Sequence, residues 1–249
     1  MAKINPALQF FRSNRFSEAV EAYKRQLRED PDDVWANTGG LGVSLMAAGE
    51  FFEAITYLEK MNQYEHGILP GNIGREIELS VCHWMIGEHA QALGIIKGLV
   101  IAVRDGKIGY TDIAGGVTQG LIYLYMAASL RASSDIDLAM NYLKKLATRR
   151  RIQNWPGPAA LFLLGTLTFE EAMKDATGSA DVAHAKQIAE QDLMKRRQMT
   201  AILFAAGTAR RIAGDEAGCR MHMAECASLT NPLVEYEWYL ARSEVSITS

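Results

Sequence analysis

The sequence predicts an all-α protein of stacked helical hairpins. Three observations carry this. Apolar residues recur at helical spacing along the chain, as Ala19, Tyr23 and Leu27 do. A hairpin pattern of small and large apolar residues repeats: Ala19 and Ala54 hold equivalent places 35 residues apart. The composition is that of a folded helical chain, 49% hydrophobic and 22% charged, with only 6 prolines in 249 residues.

The first unit covers about 5–33. One helix runs from about Pro6 to Arg12 and a second from about Ser17, read as its cap, to Arg28. Pro31 closes the unit. The second unit, 34–66, is the most complete. It is read as two antiparallel helices that turn at Gly49-Glu50, with Gly42 and Ala54 as small residues where the backbones approach. Leu41, Leu45, Leu58 and Met61 fill the seams on either side. Gly39, Gly40 and Gly42 do not form a phosphate loop, because no strand precedes them and no Lys-Ser/Thr follows. The turn residues His66-Gly67, Pro70-Gly71 and Gly74 predict a linker.

The third unit is 74–104, with Leu79, Gly87, Ala92 and Ile96 in register, and a loop around Asp105-Gly106 follows it. The fourth, 116–152, pairs a helix from Val117 to Arg131 with one from Ile136 to Arg151, capped by Asp135 or Ser134. Trp155-Pro156-Gly157-Pro158 is the sharpest break. A shortened unit over 155–178 follows, with Thr168-Phe169-Glu170-Glu171 as a capping-box start. The last unit, 181–230, has a long helix from Asp181 to Ala213, with or without a break near Lys195, and a partner from Glu216 to Leu229. A final helix, 232–245, caps the array. All units belong to a single domain, 1–249.

Leu41, Gly42, Leu45, Gly49, Ala54, Leu58 and Met61 together resemble the tetratricopeptide (TPR) repeat, and the other units are similar to degenerate copies of it. Trp155-Pro156-x-Pro158, Phe162-Leu163-Leu164-Gly165 and Phe169-Glu170-Glu171 resemble the C-terminal third of bacterial TPR proteins, including a TPR lipoprotein family. The resemblance implies a right-handed α-α superhelix of TPR-like hairpins, an α-solenoid, that binds another protein and carries out no catalysis. Bacterial members of this kind include immunity proteins that neutralise a toxin, adaptors for a protease or cell-wall enzyme, and secretion chaperones. An immunity protein is the most concrete expectation. By repeat register the inner, protein-binding face is lined by Met46, Ile77, Val81, Trp84, Met85, Leu124, Arg131, Phe204, Thr208 and Arg211, with Val43 and Leu121 beside them. The competing reading buries these residues between tightly coiled units.

Other functions find less support. A net charge of −3 gives no basic field for nucleic acid. The run Ile95–Val103, broken by Lys97, is too short to span a bilayer, and no lipid-attachment cysteine or signal core is present, so the expected compartment is the cytoplasm. The three cysteines do not make a disulfide framework. Cys219, His222 and Cys226 share a helical face, but both cysteines sit where the repeat wants small apolar residues, so neither metal nor cofactor is expected. Adjacent Cys82 and His83 point about 100° apart on a helix and cannot act on each other. The paired acids Asp32-Asp33 and Glu170-Glu171 read as helix-start residues. Lys195-Arg196-Arg197 and Arg149-Arg150-Arg151 are basic clusters that can meet an acidic partner. The second also reads as a helix C-terminus, where cations offset the dipole.

Overall fold

The computed structural model describes residues 5–68, 71, 73–110, 112–233 and 235–246, with backbone only at 35–37. Among these, every regular element is a helix. The chain divides into two compact units, Met1–Ile95 and Ile96–Ser249.

In the first unit each helix packs on the next. α1 (Pro6–Arg12) lies against α2 (Phe16–Glu29), α2 against α3 (Gly40–Ala48), α3 against α4 (Phe51–Ile68), and α4 against α5 (Glu76–Met85). A π-helical turn over Val34–Gly39 leads into α3. The apolar stripe of α2 buries Ala19, Val20, Ala22 and Tyr23. Ser17 is not its cap. The helix starts one residue earlier, and Arg15 at the N-cap makes no side-chain capping bond there.

The expected linker over Tyr64–Gly74 is shorter than the turn residues suggested, because α4 continues through His66 and Gly67 to Ile68. Buried Glu65 pairs with Arg75 at 2.7 Å, and His66 meets Glu76. These contacts hold the last turn of α4 against the start of α5. Within the linker prediction, residues 69, 70 and 72 lie outside the described residues.

The division between the units falls within α6 (His89–Arg104). The second unit contains α7 (Val117–Ser129), α8 (Ser133–Ala147), a 3-10 turn over Arg150–Gln153, α9 (Gly157–Leu163), α10 (Phe169–Thr177), α11 (Val182–Gln191), α12 (Leu193–Ile212), α13 (Glu216–Ala227) and α14 (Tyr236–Ser246). Two helices form its centre. α7 is buried from Gln119 to Ala128, and α12 from Met199 to Thr208. A helix that is apolar all round has no solvent face and must be covered on all sides. α12 is accordingly packed by α7, α9, α10, α11, α13 and α14. The Tyr125 and Phe204 rings meet at 4.9 Å between the two central helices.

The long helix expected from Asp181 to Ala213 is broken at Asp192. Its backbone is extended, and its carboxylate accepts from Met194 N and Lys195 N to start α12. Thr168 and Glu171 form the expected capping box. Asp135 and Ser134 do not cap α8, which begins at Ser133. Asp135 instead lies in its first turn and binds Tyr123 Oη and Lys97 Nζ.

The hairpin turns share one construction. In each, a backbone N–H reaches back to the carbonyl five residues earlier: Arg15 to Phe10, Glu50 to Leu45, Glu88 to His83, Ala132 to Ala127, Thr166 to Leu161 and Asp215 to Arg210. The residue just before that N–H has positive φ: Asn14, Gly49, Gly87, Arg131, Gly165 and Gly214. This is the six-to-one helix-ending bond that a left-handed residue makes possible.

Close approach also recurs. A Cβ on Gly42 would stand 3.0 Å from Leu58 Cδ2, one on Gly120 2.7 Å from Leu143 Cδ2, and one on Gly207 2.8 Å from Met223 Cε. Each glycine sits on the first helix of a hairpin and faces the second. Gly42→Leu is expected to cost about 1–3 kcal/mol through overpacking, seen as a lower urea midpoint. An unchanged midpoint would mean that α3 and α4 do not meet at this residue.

Candidate functional site

Most of the residues expected on an open inner face are interior. Met46, Ile77, Val81, Trp84, Leu124, Phe204 and Thr208 are buried. The tight-packing alternative describes these seven. In the second unit the reason is that α7 and α12 turn their expected lining residues into a shared core. Trp84 lies against the His89 ring at 4.3 Å. Met85 is half-buried, as are Val43 and Arg211, and Arg131 is exposed.

Arg131 and Arg211, far apart in sequence, do come together. Both line a cleft of about 300 Å³ with Ser133, Ile136 and Glu216, where the α7–α8 and α12–α13 turns lie side by side. Arg211 is already saturated. Its guanidinium donates to both Glu244 oxygens, at 2.6 and 2.9 Å, to Ser129 Oγ at 2.7 Å and to Glu216 at 3.3 Å. Tyr125 Oη also donates to Glu244, at 2.9 Å. Burial would raise the Glu244 carboxyl pKa, but the hydrogen bonds and charge of Arg211 hold it below the usual carboxylate range. This network ties α7, α12, α13 and α14 together. It leaves Arg131 as the one cation lining this cleft with no ion pair among the described residues.

The second cleft is larger, open, and about 810 Å³. Arg149, Arg150, Arg151, Gln153, Asn154 and Tyr110 line it. The arginines are not the last turn of α8, as the sequence suggested. α8 ends at Ala147, with Lys144 and Lys145 in its final turn. Arg149 is extended, and the 3-10 turn carries the next two arginines outward. Ile152 is the anchor of this segment. It is buried, while Arg151 and Gln153 on either side are exposed. The stem of Arg151 lies against Gly115, and its guanidinium stacks over the Tyr110 ring at 4.7 Å. None of the three guanidiniums has a carboxylate within ion-pair distance among the described residues, and the Gln153 and Asn154 carboxamides make no hydrogen bond there. The cleft therefore presents three unneutralised forks beside two groups that both donate and accept.

The two arginines of the other basic cluster are spent within the fold. Arg196 donates to the carbonyls of Ala189 and Glu190, and Arg197 to those of Pro232 and Leu233.

The cysteines are all buried and free. Burial pushes the Cys219 thiol up to about 11 and raises the Cys82 and Cys226 thiols well above the usual thiol range. Thiolate formation is thus disfavoured at all three. His222, half-buried, packs on Phe169 at 5.4 Å. Among the described residues no group of three His, Cys, Asp or Glu side chains is placed to hold a metal. His83 is not paired with Cys82; its ring contacts Glu88 Oε2 at 2.6 Å and Gln91 at 3.1 Å. No helix among the described residues is long and apolar enough to cross a membrane.

Sequence reasoning found both basic clusters but had no means to rank them. The difference lies in what surrounds each: carbonyls for Arg196 and Arg197, open cleft for Arg149 to Arg151. No protein-family model, no curated relative and no solved structure matches this chain.

Proposed function

We propose that this chain is a non-enzymatic scaffold for another protein, built of TPR-like hairpins with right-handed superhelical stacking. The observation that carries the reading is the repeated hairpin device. Gly42, Gly120 and Gly207 each admit a large side chain of the following helix, and the same six-to-one bond closes the turn of each of those three hairpins. A fold assembled from such modules gains surface by repetition, and that surface is suited to macromolecules more than to a small substrate. The serial packing of α1 to α5 supports it further. The groups best able to do covalent chemistry, the three thiols, are buried with raised pKa values.

Within this class the proposal is an immunity protein that binds and neutralises a partner toxin. Affinity purification of the tagged protein from its native cells, with mass spectrometry, is the test. A stoichiometric protein partner whose toxicity is suppressed on co-expression is the expected result. A partner that stays export-competent in the complex would make the chain a secretion chaperone instead. Turnover of a small substrate by the purified chain would overturn the scaffold reading.

A further inference from the structure

We propose that the Arg149–Arg150–Arg151 cleft binds an acidic peptide segment of a partner protein, with side-chain carboxylates on the guanidiniums and the peptide backbone on Gln153 and Asn154. The inference rests on the scaffold reading and assigns the partner's chemistry.

Three consecutive arginines are costly to hold side by side without counter-charge, since like charges repel. Several other arginines of the second unit are paired, Arg104 with Asp105 at 2.8 Å, Arg197 with Glu235 at 3.2 Å, Arg210 with Asp215 at 3.4 Å and Arg211 with Glu244 at 2.6 Å, while unpaired Arg131 stands singly and not in a run of three. At the cleft no such carboxylate is supplied among the described residues, so the missing anion is external. The fork geometry of arginine suits a carboxylate and a phosphate equally.

The carboxamides decide between them. A fully ionised phosphate offers only acceptors and would leave the exposed Gln153 and Asn154 carbonyl oxygens to water. A peptide backbone offers an N–H and a C=O per residue and can satisfy both ends of each carboxamide. The volume, about 810 Å³, is within the range of sites that enclose ligands of many atoms and far exceeds a single inorganic anion. Tyr110, already stacked under Arg151, adds an aromatic wall. The pre-stacked guanidinium loses less freedom on binding than a free one.

The test uses the full chain and a fluorescein-labelled hexaglutamate peptide, read by fluorescence anisotropy at low and at physiological salt. Saturable binding that weakens with salt is expected. Combined Arg149→Gln, Arg150→Gln and Arg151→Gln should weaken it by about tenfold or more, while combined Lys144→Gln and Lys145→Gln on the neighbouring helix should change it by less than about twofold. Combined Gln153→Ala and Asn154→Ala should weaken the peptide but not pyrophosphate. Thermal melts establish that each variant is folded, and if the arginine variant is not, the carboxamide variant decides.

Absence of saturable binding, or equal loss in the lysine variant, would overturn the proposal. Displacement of the labelled peptide by pyrophosphate or by an oligothymidylate at a lower concentration than unlabelled hexaglutamate requires would overturn the peptide assignment in favour of a phosphate ligand. A native partner held as tightly by the arginine variant as by the wild type would remove the cleft from the interface while the scaffold reading stands.

Discussion

Arg211→Met is expected to destabilise the second unit by about 3–5 kcal/mol at neutral pH, the cost of leaving a buried charge without its partner. The Arg211 side chain is only 8% exposed and that of Glu244 17%. Methionine keeps much of the apolar volume but none of the five N–H donors. Glu244 would then keep the Tyr125 Oη hydrogen bond and the weaker charge of Arg220. Double substitution with Glu244→Gln should recover much of the loss, because a neutral carboxamide carries no charge to strand.

The pH dependence gives an independent check. In the wild type the Glu244 pKa is lowered, so its contribution is present above the unfolded carboxylate range and fades as pH falls through the folded value. In Arg211→Met, burial without the guanidinium raises that pKa, and the sign of the dependence should reverse. Urea titrations at about pH 4 and about pH 7 would show it. A loss of binding with full stability would instead return Arg211 to the surface role that the repeat register assigned to it.

That assignment shows where sequence reading reaches its limit. Register places Arg131 and Arg211 on the inner face, two units apart, and the structure brings the two into one cleft. Register cannot see Glu244, which arrives from the terminal helix, 33 residues later. Long-range partners decided other misjudgements too. His66 and Gly67 carry turn character, yet Arg75 and Glu76 hold them in α4. Asp135 looks like a cap and is instead held by Tyr123 and Lys97.

Local chemistry, by contrast, was readable. The Gly49 and Gly214 turns and the Thr168 capping box need only residues within one turn of helix, and each formed as its residues required. Helix faces fell between these cases. The all-apolar character of Leu121 to Ala128 already says that α7 is covered on every side. Sequence reading kept an open lining and a tight core as alternatives for these helices, and Leu124 and Phe204 are buried.

Glu237→Gln is expected to act in the opposite direction and stabilise the chain at neutral and alkaline pH. Glu237 is buried at the start of α14, and one carboxyl oxygen has no hydrogen-bond partner. The charged groups around it are Asp112, whose carboxylate accepts from Gly116 N and Thr118 N, and Glu235, ion-paired with Arg197; the Cys226 thiol also feels its charge. Burial, then the negative charge of Asp112, pushes the Glu237 carboxyl up to about 7. Burial and Glu237 push Glu235 the same way.

A folded pKa above the unfolded one means that the native state holds the proton more tightly. The wild type therefore has the full contribution of protonated Glu237 below the unfolded carboxylate value and loses it as pH rises through about 7. Glutamine keeps the shape and removes the charge. Its stability curve should be flatter across that interval, with a gain on the order of 3 kcal/mol at the alkaline end, diminished if the unit relaxes around the ionised acid. Chemical denaturation of both proteins across the interval measures the difference. Parallel curves would mean that Glu237 is solvated in the native state.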